Sequence, residues 1–180
     1  MTLRQSDIVG SPSRSLMTTY SAQDEQWMKV ALEEAAKAPA VGEIPIGAVI
    51  VRDGELLAKA HNYRELWQDP TAHAEIVAIR ATASVLGSWR LTDTTMYVTL
   101  EPCAMCIGAI ILARIPCLVF GTRDPKAGAC GSVFDLSADS RLNHQVLVKE
   151  GVLEAECQAL LQDFFRRLRA EATKTNSPSA

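Results

Sequence analysis

Apolar positions along this chain switch repeatedly between a helical period and a strand period. From Ser21 onward, Trp27, Val30, Ala31 and Leu32 form one stripe, with Asp24 and Glu25 in an acid-favouring first turn. Irregular chain ends at Pro45, and Ile46 to Val51 reads as a buried strand. Asp53-Gly54 is a two-residue hairpin signal, and Leu56 to Ala60 is the returning strand. Asp69-Pro70-Thr71 starts a helix, with Thr71 as N-cap and an end near Leu86. Met96 to Leu100 is a third strand, and Pro102 opens a helix to about Ala113. Cys117 to Phe120 is a fourth strand, followed by a Gly-rich loop from Gly121 to Ser132 that carries Arg123, Asp124 and Lys126. Gln145 to Val148 reads as a short fifth strand. Leu153, Cys157, Leu160, Leu161, Phe164, Phe165 and Leu168 share one face of a closing helix. A hairpin followed by strands alternating with helices predicts a three-layer α/β/α sandwich around a five-stranded mixed sheet.

Composition narrows the class without fixing the activity. A length of 180 residues, 48% hydrophobic and 22% charged, fits one domain with a proper core. We place that domain at residues 21–170. Residues 1–20 form a polar, Ser-rich stretch expected to be disordered, and 171–180 a flexible tail. Arg4, Arg14 and the serines also admit an organellar transit peptide, against which Asp7 and the missing periodicity argue; Met17 is an alternative start. No apolar run approaches the ~20 residues that span a bilayer, so no membrane partner is expected. Five cysteines without a secretory signal favour reduced thiols in the cytoplasm, some committed to metal. The net charge of −3 gives no global sign of nucleic-acid binding, which would need a local patch.

The chemistry concentrates in His73-Ala-Glu75 and, 27 residues later, Pro102-Cys103-Ala-Met-Cys106. One imidazole and two thiolates fall one short of a closed structural zinc site and leave a position for water. Cys103 and Cys106 share a helix face, in a first turn that stabilises thiolates. His73 and Glu75 converge only if their helix starts just before them, so two helix N-termini meet at one metal. Taken singly, the C-x-x-C pair is more often redox or structural, His73 a core histidine and Glu75 a solvated residue. A closed site would need Cys117, Cys130 or Cys157, none at ligand spacing; small apolar core residues is the simpler reading of all three. His61 and His144 also lack a partner at ligand spacing and read as structural.

The combination H-x-E with P-C-x-x-C is the signature of the zinc nucleobase deaminases, a group that includes the tRNA-adenosine deaminases. From about Gln26 to Arg169 the chain resembles the bacterial tRNA-specific adenosine deaminases, the TadA family within the cytidine-deaminase-like superfamily. The resemblance is carried by Glu43-Ile-Pro-Ile-Gly-Ala-Val49, Asp69-Pro-Thr-Ala-His-Ala-Glu75 and Tyr97-Val-Thr-Leu-Glu-Pro-Cys-Ala-Met-Cys106. It continues in Phe120-Gly-Thr-Arg-Asp-Pro-Lys-Ala-Gly-Ala129, Gly131-Ser132, Asn143-His144 and Asp163-Phe-Phe165. Thr122, Pro125 and Leu168 depart from the usual pattern. The resemblance implies hydrolysis of the wobble adenosine of a tRNA anticodon, typically the arginine tRNA, to inosine, by a homodimer whose two subunits both touch RNA. It implies one Zn²⁺ per subunit on His73, Cys103 and Cys106, with Glu75 moving protons. It implies that Asn62 meets the flipped nucleotide, Asp124 the RNA backbone and ribose, and Phe164, Phe165 and Arg166 the anticodon loop.

Without the resemblance those same residues say less. Asn62 reads as a turn residue, Arg123, Asp124 and Lys126 as a solvated loop, and Phe164-Phe165 as core packing. Arg166, Arg167 and Arg169 are the one concentrated basic patch, which an acidic RNA-binding chain requires. Two rival functions share the same cluster: a deaminase of free guanine, cytosine or cytidine, and a non-catalytic zinc-stabilised binding module.

Overall fold

The computed structural model describes residues 20–175; the tail expectations for 1–19 and 176–180 lie outside it. Its strands are β1 (Gly47–Arg52), β2 (Glu55–His61), β3 (Thr95–Leu100), β4 (Cys117–Thr122) and β5 (Leu147–Glu150). They form one sheet in the order β2-β1-β3-β4-β5, with β1 antiparallel to β2 and β3, and β3, β4 and β5 parallel. The helices are α1 (Ala22–Ala35), α2 (Arg64–Trp67), α3 (Ala74–Leu86), α4 (Ala104–Leu112) and α5 (Glu154–Thr175).

Strand alternation sorts the core into two layers. Ala48, Ile50, Met96, Val98, Leu118 and Phe120 face Ala74 and Ala78 of α3 and Ile107 and Ile110 of α4. The intervening Val49, Val51, Tyr97 and Val119 face Met28 and Ala31 of α1 and Cys157 of α5. The α/β/α sandwich with a mixed five-stranded sheet is therefore the observed fold. Two glycines set its thickness. A Cβ on Gly47 would strike the Ala31 carbonyl and Ala35 of α1, and one on Gly121 the Cys157 sulfur and Thr99 carbonyl, so both helices lie directly on the strands. The hairpin turn is as expected: Asp53 (φ 53°) and Gly54 (φ 79°) are both left-handed, the type I′ requirement.

Some boundaries move. The buried face of α1 centres on Asp24, Met28, Ala31, Glu34 and Ala35, while Trp27, Val30 and Leu32 of the expected stripe pack half-buried at its margin. β5 starts two residues later than its apolar run, because pairing Cys117 with Leu147 and Phe120 with Glu150 fixes its register. Among the described residues of α5 only Cys157 is fully buried; Phe165 and Leu168 are exposed, and the helix runs past residue 170 to Thr175. The four-residue α2 and a single 3₁₀ turn at Ala38–Val41 carry no apolar period and are absent from the sequence reading.

A buried carboxylate ties α1 to the sheet. Asp24, at the third position of α1, completes a capping box with Ser21, accepts a hydrogen bond from the Tyr97 hydroxyl at 3.0 Å and pairs with Lys149 Nζ at 2.9 Å. Burial acts to raise its pKa, but the bonds from Ser21, Lys149 and Tyr97 outweigh it and hold the carboxyl below its usual value. A depressed carboxyl contributes stability above its unfolded value and loses it as pH falls. Asp24→Asn should therefore cost about 2–3 kcal/mol at neutral pH in urea unfolding. The gap to wild type should narrow as pH falls below 3.8, the ordinary aspartate value.

Candidate active site

The site is assembled where two helices begin at the same edge of the sheet. β3 leads through Glu101 and Pro102 into Cys103, the N-cap of α4, and His73 is the N-cap of α3. Both caps are extended (φ −73°, ψ 152° for His73; φ −73°, ψ 173° for Cys103), so their side chains project past the helix ends toward each other. The helix start expected at Thr71 is thus two residues early. Thr71 instead donates its N–H and hydroxyl to Asp69 Oδ1 at 2.8 and 2.7 Å, a local turn that competes with helix. The capping service comes from another element: Asn62, just after β2, accepts the Ala74 N–H on Oδ1 at 3.0 Å. Pro102 likewise precedes the cap instead of opening the helix, and its carbonyl accepts Ala129 N–H at 2.9 Å.

His73 Nδ1 lies 3.8 Å from Cys103 Sγ and 3.5 Å from Cys106 Sγ, and the three donors are mutually within 4.8 Å. Tetrahedral zinc, with Zn–S about 2.3 Å and Zn–N about 2.0–2.1 Å, requires nitrogen and sulfur about 3.6 Å apart, so the donor set fits the metal in chemistry and spacing. The geometry also selects Nδ1, which the sequence leaves open. Cys117, Cys130 and Cys157 lie outside the cluster. His61 bonds Glu34 at 3.1 Å and His144 the Ile115 carbonyl at 2.9 Å, both structural as expected.

The hydrogen bond from Cys106, together with His73, holds the Cys103 thiolate, pulled down to about 4, while the same bond and burial push the Cys106 thiol up. The Cys103 thiolate in turn raises His73. Glu75, in the first turn of α3, is 4% exposed, and burial pushes its carboxyl above the ordinary range. A carboxyl group so placed beside Cys106, with its proton held more tightly than usual, is suited to take and give a proton.

A second buried carboxylate, to which the sequence reading assigned no role, organises the neighbouring loop. Glu101 Oε1 accepts N–H groups of Cys130 and Ser132 at 2.9 and 3.1 Å, and Oε2 accepts the Asp124 N–H at 3.0 Å and the Ser132 hydroxyl. A Cβ on Gly128 would collide with that carboxylate, so the loop closes over it only with glycine there. Gly128 also bridges Cys103, which joins the loop to the metal-ligand segment. Asp124 is thereby held near the site, its Oδ1 accepting Lys126 N–H at 2.9 Å, while Arg123 is paired with Glu150 at 2.7 Å. An acidic residue immediately after an apolar strand was the available signal. Phe164 and Phe165 meet edge to face at 5.4 Å and Arg166 pairs with Asp163 at 2.8 Å, but none of the three bonds to the metal cluster. Glu101→Gln would turn an amide N–H₂ toward N–H donors and should cost about 2–3 kcal/mol in urea unfolding. Ser132→Ala, which removes one donor only, should cost about 1 kcal/mol.

Residues 22–169 match the family model of the MafB19-like deaminases. The tRNA-specific adenosine deaminase of Bacillus subtilis is 52% identical over 147 residues, 82% of this chain and 91% of that protein. A solved tRNA:A34 deaminase, from work on A-to-I editing at the wobble position of transfer RNA, superposes with a TM-score of 0.73 at 43% identity. The match covers 76% of this chain and 99% of that one. The guanine deaminase structure from Bacillus subtilis is 42% identical with a TM-score of 0.53, over 55% of this chain and 64% of that one. With the H-x-E and P-C-x-x-C residues gathered at two helix caps, the chain belongs to the tRNA-specific adenosine deaminases within the MafB19-like deaminase family.

Proposed function

We propose that this protein hydrolyses the wobble adenosine of a tRNA anticodon, typically the arginine tRNA, to inosine and ammonia, acting as a homodimer in the cytoplasm. The observation that carries the reading is the buried Glu75 beside a His/Cys/Cys donor set at a helix edge. His73, Cys103 and Cys106 would hold Zn²⁺, which when bound activates water as a Lewis acid. Glu75 accepts a proton from the attacking water and delivers it to N1 of the purine; it then carries the proton of the new C6 hydroxyl to the amine, which leaves as ammonia while C6 becomes the carbonyl. Asn62 has its Oδ1 committed to the Ala74 N–H, so Nδ2 is its donor toward the nucleotide. Asp124, held through Glu101, meets the ribose and backbone. The half-buried Phe164 and the exposed Phe165 and Arg166 of α5 meet the anticodon loop. Exposed Met105 and Leu112 on α4 supply apolar surface for a second subunit. Among the described residues no helix is long and apolar enough to cross a membrane.

Incubating the zinc-loaded protein with bulk tRNA and sequencing for new inosines tests the reading. Turnover of free guanine, cytosine or cytidine without new inosine in tRNA would replace it. Glu75→Gln should retain zinc and lose deamination. Burial raises the Glu75 pKa, so wild type loses stability as pH climbs from 4.5 through the raised value; metal-free Glu75→Gln should escape that loss and unfold at higher urea at pH 7. Zinc uptake by the metal-free protein in weak buffer at neutral pH should release protons, because Cys106 is held protonated until metal binds. Cys103→Ala should abolish zinc binding, read by metal content after dialysis.

A further inference from the structure

Three rings stand in a column at the rim of the site. His61 and Tyr63 stack with centroids 4.5 Å apart at 28°, and Tyr63 and Trp67 at 4.4 Å and 15°. The column is anchored at its inner end, where His61 is buried and bonded to Glu34, itself paired with Lys37 at 2.6 Å. It ends in solvent: Trp67 is 50% exposed, beside the equally open Leu66. An indole already stacked on one face and half in water offers its remaining surface to another flat ring.

The segment carrying Trp67 is rigid and close to the reaction. The fully buried Glu43 accepts the N–H groups of Glu65 and Leu66 on one oxygen, at 2.7 and 2.9 Å, which fixes the start of α2. Tyr63 donates its N–H to the Ala72 carbonyl at 2.9 Å, one residue from His73, and Asn62 immediately precedes Tyr63. Arg64, exposed at the start of α2, lies near enough for its charge to act on His73. A positive side chain and an open ring face thus lie together on the short segment between Asn62 and His73.

We propose that Trp67, backed by Tyr63 and His61, is a stacking shelf for the unpaired anticodon-loop base adjoining the target adenosine, with Arg64 on the intervening phosphate. The idea deepens the tRNA-deaminase reading and rests on it. Base–aromatic stacking suits this place because the loop bases are unpaired and any base presents a π-face. It positions RNA without reading sequence, and holds the neighbour of a base that has been extruded.

The test uses the zinc-loaded, full-length protein and an anticodon stem-loop. Trp67→Ala and Trp67→Leu should raise KM roughly tenfold with kcat within about twofold, and Trp67→Phe should stay near wild type. The salt dependence of RNA affinity should be unchanged in Trp67→Ala but shallower by roughly one ion in Arg64→Ala. Replacing one base next to the target with an abasic nucleotide should cost wild type as much as Trp67→Ala does, and cost the Trp67→Ala protein nothing further. The proposal is overturned if Trp67→Leu keeps wild-type KM, or if no abasic position couples to Trp67. It is equally overturned if Trp67→Ala dissociates the dimer in sedimentation, since a second copy then covers the ring. Failure of wild type to form inosine in any RNA would sink the tRNA reading instead. In that case stem-loop titrations still decide the shelf, and equal affinity of wild type and Trp67→Ala rejects it.

Discussion

The site depends on one constraint: two of the three side chains that could hold a metal ion, His73 and Cys103, are helix N-caps. A cap residue is extended while its successor is helical, so its side chain projects beyond the helix end toward whatever faces the first turn. Packing α3 and α4 side by side on one face of the sheet makes His73 and Cys103 face each other. Cys106, three residues after Cys103, then completes the donor set, and Glu75, two residues after His73 in the first turn of α3, is driven into the buried space beside it. Unpaired N–H groups and the positive dipole ends of both helices converge there, which favours the anionic donors.

Buried carboxylates complete the edges of this arrangement. Asp24 fixes α1 to β3 and β5, Glu34 holds His61, Glu43 starts α2, and Glu101 gathers the loop around Gly128. Each is surrounded by donors, and a satisfied buried charge is specific because any other arrangement would strand it. Three of the four hold chain that reaches the neighbourhood of the site: α2, the end of β2, and the loop bearing Asp124. The apolar core sets where the sheet and helices lie, and the carboxylates set how the polar segments between them are tied down.

Rigid and open parts are cleanly divided. The half-buried His73 and Cys103 and the buried Cys106 and Glu75 sit at the starts of α3 and α4, helices packed on the core around Ile107 and Ile110. Trp67, Phe165 and Arg166 instead present exposed surface on elements held from behind. Chemistry that tolerates little displacement is thereby built on helix termini, and contacts to a large flexible partner are built at the rim.

The sequence determined the elements and the reactive set. Alternating apolar runs separated by Asp53-Gly54 and by Pro-led helix starts are local signals, and so is the H-x-E with C-x-x-C spacing; short-range sterics and the strand period carry them. Helix starts were legible only to within two residues, because the group that caps α3 is Asn62, twelve positions away in the chain. For the same reason β5 shifted to follow its pairing with β4, and α2 went unseen because Glu43, not an apolar period, holds it. The roles of Glu101 and the His61–Tyr63–Trp67 column lay beyond the sequence as well, since a buried carboxylate and a ring stack are defined by what surrounds them. Local pattern chose the secondary structure and the chemistry. Tertiary packing decided which nitrogen faces the thiols, which loops are pinned, and which rings stay open to a partner, because those depend on contacts between residues far apart along the chain.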